Sequence, residues 1–388
     1  MIASPQPVRW QRIMRGGAAL LLALTCAFTS IVASAQTPIV TPGIEFATAP
    51  LSATTATTID FPTGITFDAT LTEADDAEIS LLYQVGDLAV WNLALIDADA
   101  ITRAADGTLA IHTTIDLQRI GVPAGIPLTF HWRATMPDGV IRDSASETIS
   151  WYDTRYDWST LSSEQIDLHY VDLDDDVAAQ ILTSAQSTVT DLESRYALER
   201  SRTLQIWVYP DSESLRGTLP ANSRDTIAGG SFIGYSLIVA LIPNGSTGEI
   251  GRIIPHEVSH QVLYQATQNP FTILPTWFDE GMATHIQNGG TSSYLGLVIN
   301  AWQHDALFDL ASISAGFPYT PSQATLAYAA SWSAIAYIQE TYGDDGISRL
   351  IAAFATGAPE QDVILQALGI TLDQLDDDWK AWIGAQAS

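Results

Sequence analysis

His256 and His260 stand four residues apart in the run Ile253-Ile254-Pro255-His256-Glu257-Val258-Ser259-His260-Gln261-Val262-Leu263. On an α-helix this spacing stacks two imidazoles one turn apart on the same face, where both can reach one cation. Glu257 is turned to the side, as suits a carboxylate that leaves the cation alone and takes a proton from water bound to it. A catalytic zinc ion keeps three protein ligands and one open position, so a third ligand is expected downstream. Glu280 is the candidate, in Pro275-Thr276-Trp277-Phe278-Asp279-Glu280-Gly281-Met282-Ala283, a stretch whose opening proline suits the first turn of a helix. With seven histidines in 388 residues, H-E-x-x-H is an improbable accident. Pro255 is the discordant residue. Inside a helix proline costs about 3 kcal/mol and one hydrogen bond, so the helix is expected to restart or kink there.

Taken together, H-E-V-S-H and P-T-W-F-D-E-G-M-A resemble the bacterial peptidase MA-like domain family, whose pattern runs H-E-x-x-H and then P-x-W-x-x-E-G-x-A. The resemblance implies a gluzincin, the His/His/Glu branch of zinc peptidases that includes thermolysin. It further implies a protein or peptide substrate, with His256, His260 and Glu280 as Zn2+ ligands and Glu257 as catalytic base. The stretch Leu326-Ala327-Tyr328-Ala329-Ala330-Ser331-Trp332-Ser333 is similar to the helix that follows the zinc site in gluzincin aminopeptidases, where a tyrosine stabilises the tetrahedral intermediate. Tyr328 falls at that place, and tyrosine at helical spacing is equally an ordinary core residue. Those aminopeptidases hold the substrate amine with the acid of a G-x-M-E-N segment. Here the corresponding Ala228-Gly229-Gly230-Ser231-Phe232-Ile233-Gly234-Tyr235 has no acid, and Glu249 is better placed for capping. Cleavage inside a chain is therefore predicted, with an edge strand around Ser236 to Ile242 pairing to extended substrate.

Other polar residues are read more plainly. His112 and His131 lack partners at metal spacing and are expected to be packed or surface residues. His285, five residues past Glu280, is turned away from it, which predicts a surface position, and nothing near His304 requires it at a site. Either Asp279 or Thr284 could orient a ligand histidine through its second nitrogen. Asp174-Asp175-Asp176 fits the positive end of a helix dipole more simply than a calcium site.

The surrounding chain predicts a multidomain protein, an N-terminal all-β sandwich followed by an α+β zincin domain with a helical C-terminal half. Residues 1–35 read as a signal peptide: Arg9, Arg12 and Arg15 precede an apolar Gly16 to Val32 and an Ala33-Ser34-Ala35 cleavage site. Lipid attachment at Cys26 and an uncleaved anchor are the competing outcomes. Residues 37–150 carry strand signals at 65–71, 77–85, 88–96, 107–117 and 128–135 separated by turn residues, the pattern of an immunoglobulin-like or fibronectin-like sandwich. Residues 151–165 form a junction rich in Trp and Tyr, expected to be packed and fixed. Residues 166–388 alternate strand and helix, with strands at 166–171, 204–209 and 236–242 and a helix at 174–198. Helices follow near 292–302, 325–342, 344–356, 359–367 and 371–384, and Gly289-Gly290 is read as ending the third-ligand helix.

The net charge of −28, with Lys380 the lone lysine, argues against nucleic acid as a partner. With Cys26 the single cysteine, disulfides are excluded from the mature chain, and nothing after the leader reads as a membrane span. One reading of a different class remains, a catalytically inactive cell-surface binding or structural protein on the same scaffold.

Overall fold

The structure is a computed structural model, and it describes residues 50–387 except 217, 219–228, 244–245, 288–290 and 292. The expected leader with Cys26, and Gly289-Gly290, lie outside the described residues.

Alternating apolar and polar residues build the first half. In β2 (Gly64–Thr72) Ile65, Phe67, Ala69 and Leu71 are buried while Asp68 and Thr70 are exposed, the period-two signature of a sheet with one wet face. One antiparallel sheet runs β1 (Ser52–Asp60), β2, β6 (Leu109–Asp116), β5 (Ile101–Arg103). The other runs β4 (Asn92–Leu95), β3 (Glu78–Val85), β7 (Ile126–Thr135), β8 (Ile141–Asp143), with β9 (Glu147–Trp151) also on β7. A four-residue helix, α1 (Leu117–Ile120), links β6 to β7. The sheets close on one core, where Phe67 meets Phe130 edge-on at 4.9 Å between centroids and Trp132 at 6.4 Å. This is the expected sandwich. The strand expected at 88–96 shortens to β4, leaving Leu88 and Val90 exposed.

The second half is built on a five-stranded sheet in the order β10 (Ser159–Ser162), β11 (Ile166–Tyr170), β12 (Leu204–Tyr209), β14 (Leu237–Leu241), β13 (Gly229–Phe232). β11, β12 and β14 are parallel, so each link needs a crossover, and α2 (Asp175–Tyr196) provides the one from β11 to β12. The short α3 (Ser212–Arg216) follows β12. Asp175 and Asp176 lie in the first turn of α2, where they complement its dipole.

Both faces of this sheet are covered, which explains why β12 and β14 are almost wholly apolar. Leu204, Ile206, Val208, Ile238 and Ala240 join the core beneath α2 and α4 (Thr247–Thr267). Trp207, Tyr209, Leu237 and Val239 point the other way and belong to the same apolar cluster as the sandwich core. The connecting segment is packed by its aromatics. Trp158 stands edge-on to Trp207 at 4.7 Å and to Tyr209 at 5.0 Å. Asp153, fully buried, pairs bidentately with Arg155 (2.9 and 2.7 Å) and accepts from the Tyr209 hydroxyl (3.2 Å), while Arg155 also donates to the Ser214 carbonyl (2.8 Å).

Helices complete the chain: α5 (Thr276–Ile286), α6 (Tyr294–Gln303), α7 (Pro321–Phe354), α8 (Glu360–Leu368) and α9 (Leu372–Gln386). Within α7 Gly343 leaves helical geometry (φ 67°, ψ −177°), so the two helices expected at 325–342 and 344–356 meet there. α4 runs through Pro255 without a break in its assigned span, rather than restarting. α5 packs closely on α7, and Gly281 permits it: a Cβ there would stand 2.7 Å from the Ser331 carbonyl oxygen.

Candidate metal centre and catalytic cleft

α4 presents His256, Glu257 and His260, and α5 brings Glu280 across from them. Nε2 of His256 lies 3.3 Å and Nε2 of His260 3.6 Å from Glu280 Oε2. One donor atom from each of the three residues falls within 4.8 Å of the others. Glu280 Oε2 is buried without a hydrogen-bond partner, and an orphaned carboxylate oxygen aimed between two imidazole nitrogens is an arrangement that a divalent cation satisfies. The donor set therefore fits zinc.

The other ring nitrogens are held from behind. His256 Nδ1 donates to Gln287 Oε1 at 3.1 Å, which leaves Nε2 with its lone pair toward Glu280. His260 Nδ1 lies 3.0 Å from Asp279 Oδ2, off the line of a well-formed hydrogen bond. Of the two residues proposed from sequence for this duty, Asp279 is the one beside the ring, whereas the Thr284 hydroxyl is buried without a partner. Gln287 was not foreseen. It caps the C-terminus of α5, and nothing in its residue type marks it in the sequence.

Electrostatics favour a cation here. Burial works against a charged His260, but Asp279, Glu280 and Glu257 outweigh it and raise its pKa to about 10. Burial likewise opposes ionisation of Glu280, yet His256 and His260 hold its carboxyl below the ordinary range. For Glu257 burial dominates and pushes the carboxyl up. Three carboxylates around two imidazoles thus call for positive charge, whether proton or metal.

Over Glu257 opens a cleft of about 470 Å³, with Gly229, Gly230 and Ser231 of β13 on one side and Phe317 and Tyr328 on the other. Tyr328 is placed at the site, its hydroxyl donating to Glu280 Oε1 at 3.3 Å. The expected edge strand is corrected. β14 is hydrogen-bonded to β12 on one side and β13 on the other, so Ser236 to Ile242 has no open edge, and β13 is the outermost strand. Its Gly-Gly-Ser-Phe sequence carries little strand propensity.

The glycine has a steric reason. A Cβ on Gly229 would stand 2.7 Å from Glu257 Oε1 and 3.0 Å from its Cγ. Behind it, Gln261 Nε2 donates to Ser231 Oγ (2.7 Å) and to the Leu237 carbonyl (2.9 Å), tying β13 to α4. Gly229→Ala is expected to displace the Glu257 carboxylate and lower kcat/KM by roughly tenfold to a hundredfold with the melting temperature little changed. Peptide hydrolysis measured beside a thermal melt checks this, and unchanged kinetics would show that the carboxylate has room to spare.

The remaining five histidines lie elsewhere, His169 of β11 stacking on Trp207. His112 pairs with Asp68 on the sandwich surface (2.7 Å), His131 packs edge-on to Trp91, and His304 Nδ1 reaches the Asn300 carbonyl. His285 is half-buried rather than on the surface, its Nε2 on Gln339 of α7. Glu249 sits in the first turn of α4, its carboxylate taken by Arg252 (3.0 Å).

Residues 184–385 match the Peptidase MA superfamily, and the chain belongs to that superfamily. This defines a metallopeptidase-type scaffold, and the family implies protein or peptide substrates. Among solved structures the chain is similar to an aminopeptidase N family protein from Idiomarina loihiensis, at 12% identity over 84% of this chain and 76% of that one, with a TM-score of 0.40. It is also similar to a polysaccharide deacetylase from Bacillus cereus, at 9% identity over 46% and 58%, with a TM-score of 0.22. No curated protein sequence matches it. Among the described residues no helix is long and apolar enough to cross a membrane.

Proposed function

We propose that the chain is an exported zinc-dependent peptidase that cleaves inside peptide chains. The observation that carries this is the convergence of His256 Nε2, His260 Nε2 and Glu280 Oε2 beside a buried Glu257 at the floor of an open cleft. A zinc ion held by His256, His260 and Glu280 would supply Lewis acidity, polarising the scissile carbonyl and making water a nucleophile near neutral pH. The chain's own groups do the rest. Glu257 accepts the proton of the attacking water and hands it to the departing amine. Asp279 and Gln287 hold the two imidazoles in orientation. The Tyr328 hydroxyl donates to the carbonyl oxygen as negative charge builds there, so Tyr328→Phe is expected to lower kcat by about a hundredfold with KM little altered.

Internal cleavage is supported by the lack of an acid in Ala228 to Tyr235. Among the described residues of the cleft the acids are Glu257, Asp279 and Glu280, all occupied at the centre itself, and Glu249 is neutralised by Arg252. Among these residues a buried ammonium would find no free carboxylate. Export rests on the three arginines, apolar stretch and Ala33-Ser34-Ala35 of the leader. A mature N-terminus at Gln36 would support it, and one at Met1 would not.

The test is zinc content by plasma emission spectrometry on protein purified without added metal, combined with casein cleavage and its block by phenanthroline. Bound zinc with no turnover on any peptide would instead favour an inactive binding protein. A peptide blocked at both ends should be cut faster than aminoacyl-coumarins, and the reverse order would overturn internal cleavage.

A further inference from the structure

Beside the cleft over Glu257 lies a second recess of about 380 Å³, more enclosed than the first. The two are continuous, for His260, Thr276, Asp279, Glu280 and Ile233 line both. The recess extends past His260 along α4 to Tyr264, one turn on, and is lined by Leu274 from the loop joining α4 to α5 and by Phe354 near the end of α7, with Ile273 at its mouth.

Its wall carries the apolar side chains of Ile233, Ile273, Leu274 and Phe354, and several of its polar groups are already paired. Asn269 Oδ1 accepts from the backbone N–H groups of Phe271 (2.8 Å) and Thr272 (2.9 Å), and its Nδ2 donates to the carbonyls of Thr267 (3.0 Å) and Phe354 (3.3 Å). That network fixes the loop. The Thr267 hydroxyl is spent on the Leu263 carbonyl (2.7 Å), and Gln268 Oε1 accepts from Arg202 (3.4 Å). The charges that border the recess are His260, Asp279 and Glu280, which face one another at the centre. A charged substrate side chain entering here would lose its water and gain no partner. The loop also holds Phe271 and Ile273 in solvent, 78% and 86% exposed, an apolar rim at the mouth of a cleft.

We propose that this recess receives the side chain of the substrate residue next to the scissile bond and selects a large apolar one, aromatic or leucine-like. The proposal rests on the peptidase reading above, and deepens it by naming the substrate class. The apolar side chains of the recess supply the contacts, and the recess opens onto the centre, so its occupant must lie within a residue or so of the bond being cut.

The experiment uses full-length zinc-loaded protein and internally quenched peptides blocked at both ends. Phe, Leu, Gly, Lys or Asp is placed in turn at each position flanking the cut. At one of the two positions Phe and Leu are expected to exceed Gly, Lys and Asp by about tenfold or more in kcat/KM. Ile273→Asp, a change at an exposed side chain, should erase most of that preference and leave the other position unaltered. Binding of the same peptides to Glu257→Gln protein, followed by fluorescence anisotropy, should rank them in the same order without turnover. Cleavage with no preference at either position, or a preference for Lys or Asp, would overturn the proposal while leaving the peptidase reading intact. No cleavage, but apolar-selective binding lost in Ile273→Asp, would keep the recess and remove the peptidase reading. A preference unchanged by Ile273→Asp in both assays would also overturn the proposal.

Discussion

Glu257→Gln is expected to lower kcat/KM for peptide hydrolysis by ~10²- to 10⁴-fold while zinc content stays at the wild-type level. The amide has nearly the shape of the carboxylate but cannot accept the proton of the attacking water. It leaves His256, His260 and Glu280 where they are, since Glu257 contributes none of the three converging donor atoms. The fold should tolerate the change, because burial already disfavours the charged carboxylate and a neutral side chain removes that conflict. His260→Ala is the contrasting variant. It removes a ligand and the partner of Asp279, so zinc and activity should disappear together. A Glu257→Gln protein as active as the wild type would mean that another group takes the proton.

Arg155→Met is expected to destabilise the protein by about 3 kcal/mol, toward the lower end for a broken buried pair because the guanidinium is itself a third exposed. The cost falls on Asp153, which has no exposed surface and would keep one side-chain donor from another residue, the Tyr209 hydroxyl. The loss of the bond to the Ser214 carbonyl and of the guanidinium packed over Phe61 and Tyr156 adds to it. Urea titration would register a lower midpoint, whereas peptide cleavage below the transition should be unaffected. A midpoint equal to that of the wild type would show that the junction is held by its aromatic contacts alone.

The candidate metal centre was legible because its residues are local. His256, Glu257 and His260 lie within five residues of one helix, and Glu280 follows a proline that announces the next one. What supports them was harder to see. Gln287 orients His256 across thirty-one residues, and nothing in its type or spacing singles it out from other glutamines. The substrate-side strand was misassigned for a related reason. Leu237-Ile238-Val239-Ala240-Leu241 has the composition of a strand, and that same composition marks it as interior, buried on both faces and paired along both edges. β13, by contrast, opens on two glycines, and at Gly229 Glu257 leaves no room for a side chain, so the propensity by which strands are recognised is suppressed there. β1 escaped notice because its Thr- and Ala-rich sequence lacks a buried face, and nine paired residues along β2 hold it in place.

The sheet beneath the catalytic helix has no face of its own to show to water. Trp207, Tyr209, Leu237 and Val239 are roofed by the sandwich, and the family match begins at residue 184, midway along α2, after β10 and β11 have already been laid down. A chain trimmed to the matched region would lose two strands and uncover an aromatic surface, an invitation to self-association. The N-terminal half is therefore less a passenger carried beside an enzyme than its outer hull. Recombination that exchanged it for another module would have to supply a matching apolar underside, which ties the inheritance of the two halves together.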